Sequence, residues 1–206
     1  IFFLTLYLLV GRLHAMRKLT DSTKTKIIDT GEKLLLKNGF NGFSYADIAL
    51  ALGIKKSSIH YHFPSKADLG LAVIQRARQR FSGWCERRET AAMADWDKLD
   101  RFFEIYRHYL TKSESVCLSG AMQTDFTTLP KPMQEETKGL VSDLLKWMDN
   151  FLDKGRKRGT FSFPGTSRDQ AVVVLAVMQG GLQMNRVLDS PIFDMAAGQI
   201  RCLLKS

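Results

Sequence analysis

The segment from Ser44 to Lys66, SYADIALALGIKKSSIHYHFPSK, restricts the fold of this chain more than any other stretch. It reads as two short helices around a tight turn. Ser44 is a good N-cap, and Asp47 three residues on completes a capping-box pair for the first-turn amides. Ile48, Ala49 and Leu52 share one helical face. Gly53 supplies the left-handed residue that ends the helix, because it has no Cβ to clash. The small Ala49 lets the next helix cross closely, and Ile54 and Ile59 anchor that helix to a core. Lys55, Lys56, Ser57, Ser58 and His60 remain for its exposed face. Pro64 stops it, and Ser65 with Asp68 repeats the capping pattern to open a third helix through Arg88. Each feature alone fits any pair of amphipathic helices. Together they describe a helix-turn-helix whose second helix is cationic and rich in hydroxyls, a pattern suited to duplex DNA.

The charge distribution agrees. The chain of 206 residues carries 30 Lys and Arg against 21 Asp and Glu, a net charge of +9. Residues 1–88 hold 15 basic and 6 acidic side chains, whereas residues 89–206 hold 15 of each. The excess therefore lies entirely in the part that contains the helix-turn-helix, where it attracts phosphate and releases counterions. Three cysteines, Cys85, Cys117 and Cys202, are too few and too scattered for a disulfide framework, and a reducing, cytoplasmic setting is expected. The apolar opening IFFLTLYLLV is too short to span a bilayer. Its positive charges, Arg12, Arg17 and Lys18, follow the apolar run instead of preceding it as in a signal peptide. Residues 1–15 are read as a non-native or upstream extension, with Met16 as a conventional start. A peripheral anchor or an extra packing segment is the alternative.

From Met16 onward the periodicity is helical. Asp21 or Ser22 caps a helix with the stripe Ile27, Gly31, Leu34 and Leu35, ending at Asn38-Gly39, and Phe40 and Phe43 plug the core beyond it. Asp95 caps a helix carrying Leu99, Phe102, Phe103, Tyr106 and Leu110. Between Ser113 and Pro130 a short helical piece lies between turns at Gly120 and Pro130. Lys131 to Arg158 is one long helix with cations near its C-terminus, complementing the dipole. Ser167 with Gln170 opens a helix to Leu188, and Ser190-Pro191 starts a last one to Leu204. No run alternates as a strand. The fold class is all-α. No P-loop, GxGxxG, GxSxG or HExxH occurs, and His14, His60, His62 and His108 lack zinc-ligand spacing. No enzyme, cofactor or metal is implied.

The pieces Gly39-Phe40, Asp47-Ile48-Ala49, Gly53-Ile54, Ser57, Ile59-His60-Tyr61-His62-Phe63 and Ser65-Lys66 resemble the DNA-binding domain of the TetR family of bacterial transcriptional regulators. The resemblance implies an all-α homodimer. A three-helix DNA-binding domain (16–66) precedes a larger ligand-binding and dimerisation domain (67–206), and the helix at 65–88 links them. It also implies that helix 55–62 enters the major groove, where Lys56 can donate to guanine. By the same resemblance Lys55, Ser57, Ser58 and His60 are expected to face bases or phosphates, Tyr61 and Lys66 to contact phosphate, and Ser44 to bond phosphate through its hydroxyl or helix N-terminus; for Tyr61, partial core packing with an exposed hydroxyl is the alternative. His62 is read as structural.

Helix 167–188 contains AVVVLAVMQGGLQM, too apolar for exposure. With 191–204 it is the expected twofold interface; a central helix of a monomeric bundle is the alternative. Candidate effector contacts are Phe102, Phe103, Tyr106, Tyr109, Cys117, Met122, Phe126, Met133, Trp147, Met148 and Phe151, although aromatics and methionines at helical spacing are more often plain core. Their lack of charge favours an uncharged effector. Cys117 resembles the sensing cysteine of a thiol-responsive branch of the family, with Lys112 the nearest cation in sequence; a small buried hydrophobe is the plainer reading. The expected function is a dimeric repressor released from a palindromic operator by a small molecule. The alternatives are an electrophile or oxidant sensor at Cys117, and a DNA-bound scaffold that recruits a protein.

Overall fold

The computed structural model describes residues 22–90, 92–110, 116–188 and 190–205. The expectations for residues 1–15, for Asp21 and for Lys112 fall outside them. The described residues form α-helices joined by short connections, with one isolated bridge between Ser162 and Lys205 and no strand. None of these helices is long and apolar enough to cross a membrane.

The N-terminal head consists of α1 (22–38), α2 (Tyr45–Leu52) and α3 (Lys56–His62). Ile27, Leu35, Ile48 and Ile59 are fully buried at its centre, and Phe40, Phe43 and Phe63 close it. Gly31 lets α1 cross tightly over α4 (Lys66–Thr90), since a methyl group there would lie 3.0 Å from Leu69 Cδ2. The 25 residues of α4 leave the head and continue into the second domain, where they pack along α7 (Lys131–Lys157). This domain adds α5 (Asp95–Leu110), α6 (Leu118–Thr124), α8 (Ser167–Val187) and α9 (Ile192–Leu203). Helix α8 packs on α7 and α9. Gly159, at φ 74°, ends α7, and Phe161 folds back over Gly155, where a methyl group would lie 2.2 Å from the ring.

Several local expectations shift. Asp95 opens α5, but its carboxylate is buried and takes two hydrogen bonds from Arg158 Nε and Nη2, at 3.0 and 2.7 Å, so it ties α5 to the end of α7 instead of capping. Gly120 lies inside α6, buried, and not at a turn. Helix α8 is capped one residue earlier than expected: Thr166 Oγ1 accepts from the Asp169 amide at 3.1 Å and donates to its carboxylate at 2.6 Å. Ser167 is thereby freed to donate to Asp149 at 2.6 Å. In α9 the cap position falls on Pro191, and no side chain caps it.

Candidate nucleic-acid interface and effector cavity

Helices α2 and α3 are held together by specific bonds. Ser44 and Asp47 form the full capping box: the Ser44 amide donates to Asp47 Oδ2 at 2.7 Å, and Ser44 Oγ accepts from the Ala46 amide at 3.2 Å. Gly53 sits at φ 62° with open space around it, so its role is the left-handed turn and not close packing. Tyr45, at the start of α2, donates its hydroxyl to the Phe63 carbonyl at the end of α3 with a 2.9 Å bond. Burial raises the Tyr45 phenol to about 12. The two helices are thus fixed at the turn and again at their far ends.

Lys55, Lys56, Ser57, His60 and Tyr61 are exposed on one surface, with Tyr61 at 78 % exposure, while Ser58 is half-buried. The His60 ring meets Tyr45 edge-on, and its Nδ1 donates to the Pro64 carbonyl at 3.1 Å. In neutral His60 this leaves Nε2 as an acceptor for a base amino group. Two expected contacts are placed differently. The Ser44 hydroxyl hydrogen goes to Asp47 Oδ2 at 2.8 Å, which leaves the helix N-terminus and not the hydroxyl for a phosphate. Lys66 turns inward: its ammonium donates to the Phe43 carbonyl at 2.7 Å and lies 4.6 and 4.8 Å from the Phe40 and Phe43 ring centres. Desolvation lowers its pKa. The electrostatic footprint is also smaller than the sequence suggests. Arg76, Arg78 and Arg80 of α4 are paired with carboxylates of α1 and α7, and residues 22–66 alone hold 7 basic and 3 acidic groups.

Between α1, α4, α5, α6 and α7 lies a cavity of about 520 Å³, within the range of small-molecule sites. Of the eleven expected effector contacts, Phe102, Tyr106, Tyr109 and Cys117 line it. Phe103, Met122 and Met148, like Met133, are fully buried core. Phe126 lies on a 3₁₀ turn beneath Lys138. Trp147 and Phe151 fall beyond an aromatic wall, where Trp84 meets Trp147 edge-on at 4.9 Å and Trp147 stacks on Phe102 and Phe151, each at 5.2 Å. They line a separate cleft of about 320 Å³.

The sequence reading missed the cavity residues that α1 and α4 supply: Glu32 and Leu36 from α1, and Ala77, Arg80, Phe81, Trp84 and Arg87 from α4. Their i, i+3, i+4 and i+7 spacing on α4 was the available signal. The cavity is also charged, through Glu32, Arg80 and Arg87, contrary to the expectation drawn from the aromatic candidates. Cys117 caps α6, its sulfur accepting from the Gly120 amide at 3.3 Å, and burial pushes its thiol pKa up in spite of that bond. Among the described residues no group of three or more His, Cys, Asp or Glu is placed to hold a metal.

A helix-turn-helix head joined by one long helix to a helical domain with a cavity defines the two-domain class of DNA-binding regulators. The sequence profile of the bacterial regulatory proteins of the tetR family matches residues 27–73. The transcriptional repressor NemR of Escherichia coli is 24% identical over 172 residues, 80% of this chain and 85% of that one. A TetR-family regulator from Agrobacterium tumefaciens superposes with a TM-score of 0.85 at 23% identity, covering 91% of this chain and 100% of that one. A TetR regulator from Legionella pneumophila superposes at 0.81 with 29% identity, covering 89% and 97%. Residues 27–73 thus carry the profile of the tetR-family bacterial regulatory proteins, and the chain as a whole has the fold of TetR-family regulators.

Proposed function

We propose that this protein is a homodimeric transcriptional repressor working in the cytoplasm, which holds a palindromic operator through α3 and releases it when a small molecule occupies the cavity. The observation that carries this reading is the composition of the cavity wall. Helix α1 belongs to the head and α4 leaves it, and both line the cavity, so an occupant touches the elements that position α3. An occupant that prefers a different setting of α1 and α4 shifts the population away from the operator-binding arrangement. Lys55, Lys56, Ser57, His60 and Tyr61 make the base and phosphate contacts. Two heads related by a twofold axis read half-sites about one helical turn, roughly 34 Å, apart.

Two other readings have less support. Cys117 faces the cavity, where an electrophile could reach it, but the raised pKa keeps it a thiol and not the reactive thiolate. A scaffold role would leave the cavity without purpose. The test is to select duplexes from a random library with the full chain, then follow operator binding by fluorescence anisotropy during a small-molecule screen. Enrichment of a palindrome and its release by cavity-binding compounds are expected. Failure to enrich any duplex would remove the regulator reading.

A further inference from the structure

The cavity holds a device that the mechanism above does not use. Glu32 of α1 has a side chain only 13% exposed, and both its oxygens are engaged by α4: Arg76 Nη2 at 2.5 Å and Arg80 Nη2 at 2.6 Å. Arg76 also reaches Asp29 of α1 at 2.6 Å. Of the four residues in this clamp, Glu32 and Arg80 line the cavity. Arg80 is half exposed, and Glu32 is its one ion-pair partner among the described residues, held through a single nitrogen. Most of the guanidinium fork is therefore open to a second acceptor.

The cavity chemistry selects the acceptor. Its floor is apolar and aromatic, built by Phe81, Trp84, Phe102 and Tyr106, and its charged lining is two arginines against one carboxylate whose two oxygens are each already held by a guanidinium. A cationic ligand would have to displace guanidinium groups from Glu32. A neutral one would leave the Arg80 fork unused. Resting on the reading of this cavity as the effector site, we propose that the effector is a carboxylate with a flat or extended apolar body. Its carboxylate takes the open edge of Arg80, and Glu32 is the group through which it acts on the head. A carboxylate seated on Arg80 lies near Glu32, and like charges in a partly buried site disfavour one another. The ligand thus binds better once α1 has carried Glu32 away. By reciprocity it weakens the arrangement that holds DNA, by a factor within the roughly 5–150-fold span of allosteric couplings.

The experiment uses the full chain, 2-naphthoate and its uncharged partner 2-naphthamide, with calorimetry for binding and anisotropy on a library-selected duplex for operator affinity. Wild-type protein should bind the acid at least about tenfold more tightly than the amide, the ratio expected of a charge-assisted hydrogen bond. Arg80→Gln should abolish that preference. Glu32→Gln should bind the acid more tightly than wild type while losing most of the acid's effect on operator affinity; circular dichroism establishes that both variants fold. Equal binding of acid and amide by wild type would overturn the charge assignment and leave the cavity as an effector site. Tight acid binding with an unreduced operator effect in Glu32→Gln would overturn the route through Glu32. Binding of neither compound would overturn the proposal outright, whereas failure to select any duplex would instead remove the regulator reading beneath it.

Discussion

A single hydroxyl, that of Tyr45, spans the helix-turn-helix from the start of α2 to the end of α3. Tyr45→Phe should cost about 1 kcal/mol of stability, read from urea unfolding. Because the folded phenol is raised to about 12 from 10, its contribution is complete below pH 10 and lost as pH rises toward 12. The variant should lack that alkaline loss; an identical alkaline profile would place the loss elsewhere. The lysines that open α3 and α4 should separate just as cleanly. Lys56→Ala should lower the salt dependence of operator binding by about one phosphate contact, a slope change near 0.9, with little change in stability. Lys66→Gln should do the reverse, destabilising the head by about 1–2 kcal/mol through the lost bond to Phe43 while leaving the slope alone. For Cys117, raised by burial, alkylation of native protein near neutral pH should lag far behind that of exposed Cys202, as followed by peptide mass spectrometry. Equal rates would favour the thiol-sensor reading.

Helix α4 carries the connection between the head and the cavity, and its seat against α7 is tight at Gly70. A methyl group there would lie 2.5 Å from Met133 Cε and 3.0 Å from Phe40 Cε2. Gly70→Ala should destabilise the protein by about 1–3 kcal/mol as an overpacked core, and adding Met133→Ala should recover part of that loss. A double variant no more stable than the single one would refute this packing account. The same helix explains what the sequence disclosed and what it withheld. The capping boxes at Ser44 and Ser65, the Gly53 turn and the length of α7 are local and were readable from spacing. The cap of α8 slipped by one residue, because Thr166-Asp169 and Ser167-Gln170 offer the same pattern and only the Ser167 bond to Asp149 separates them. The cavity was hidden for a larger reason. Helix α4 serves the head at Leu69 and Val73 and the cavity at Arg80 and Trp84, and no local signal marks the changeover. The inward turn of Lys66 was hidden for the converse reason, since sequence does not record which way a long side chain turns.

Helix α8 exposes Val172, Val173, Met184 and Val187, and α9 exposes Met195 and Leu203. Val187 is 81 % exposed, and Gly180 has nothing within 4 Å of where a side chain would begin. Two apolar stripes on adjacent helices suit a self-complementary interface. If a second copy covers them, Val187→Glu with Met195→Glu should yield monomers in sedimentation experiments and a large loss of operator affinity, with the helical signal retained. A wild-type protein that already sediments as a monomer would refute the twofold arrangement. The dual position of α1 has a further consequence, for how such a protein can change its signal over time. Glu32 and Leu36 cannot be altered to suit a new effector without disturbing the head that they also support. Divergence of effector preference should therefore concentrate on α5 and α6, at positions such as Phe102, Ile105 and Leu118 that serve the cavity without belonging to the head. A library varied on those helices should yield new responses at far higher frequency than one varied on α1.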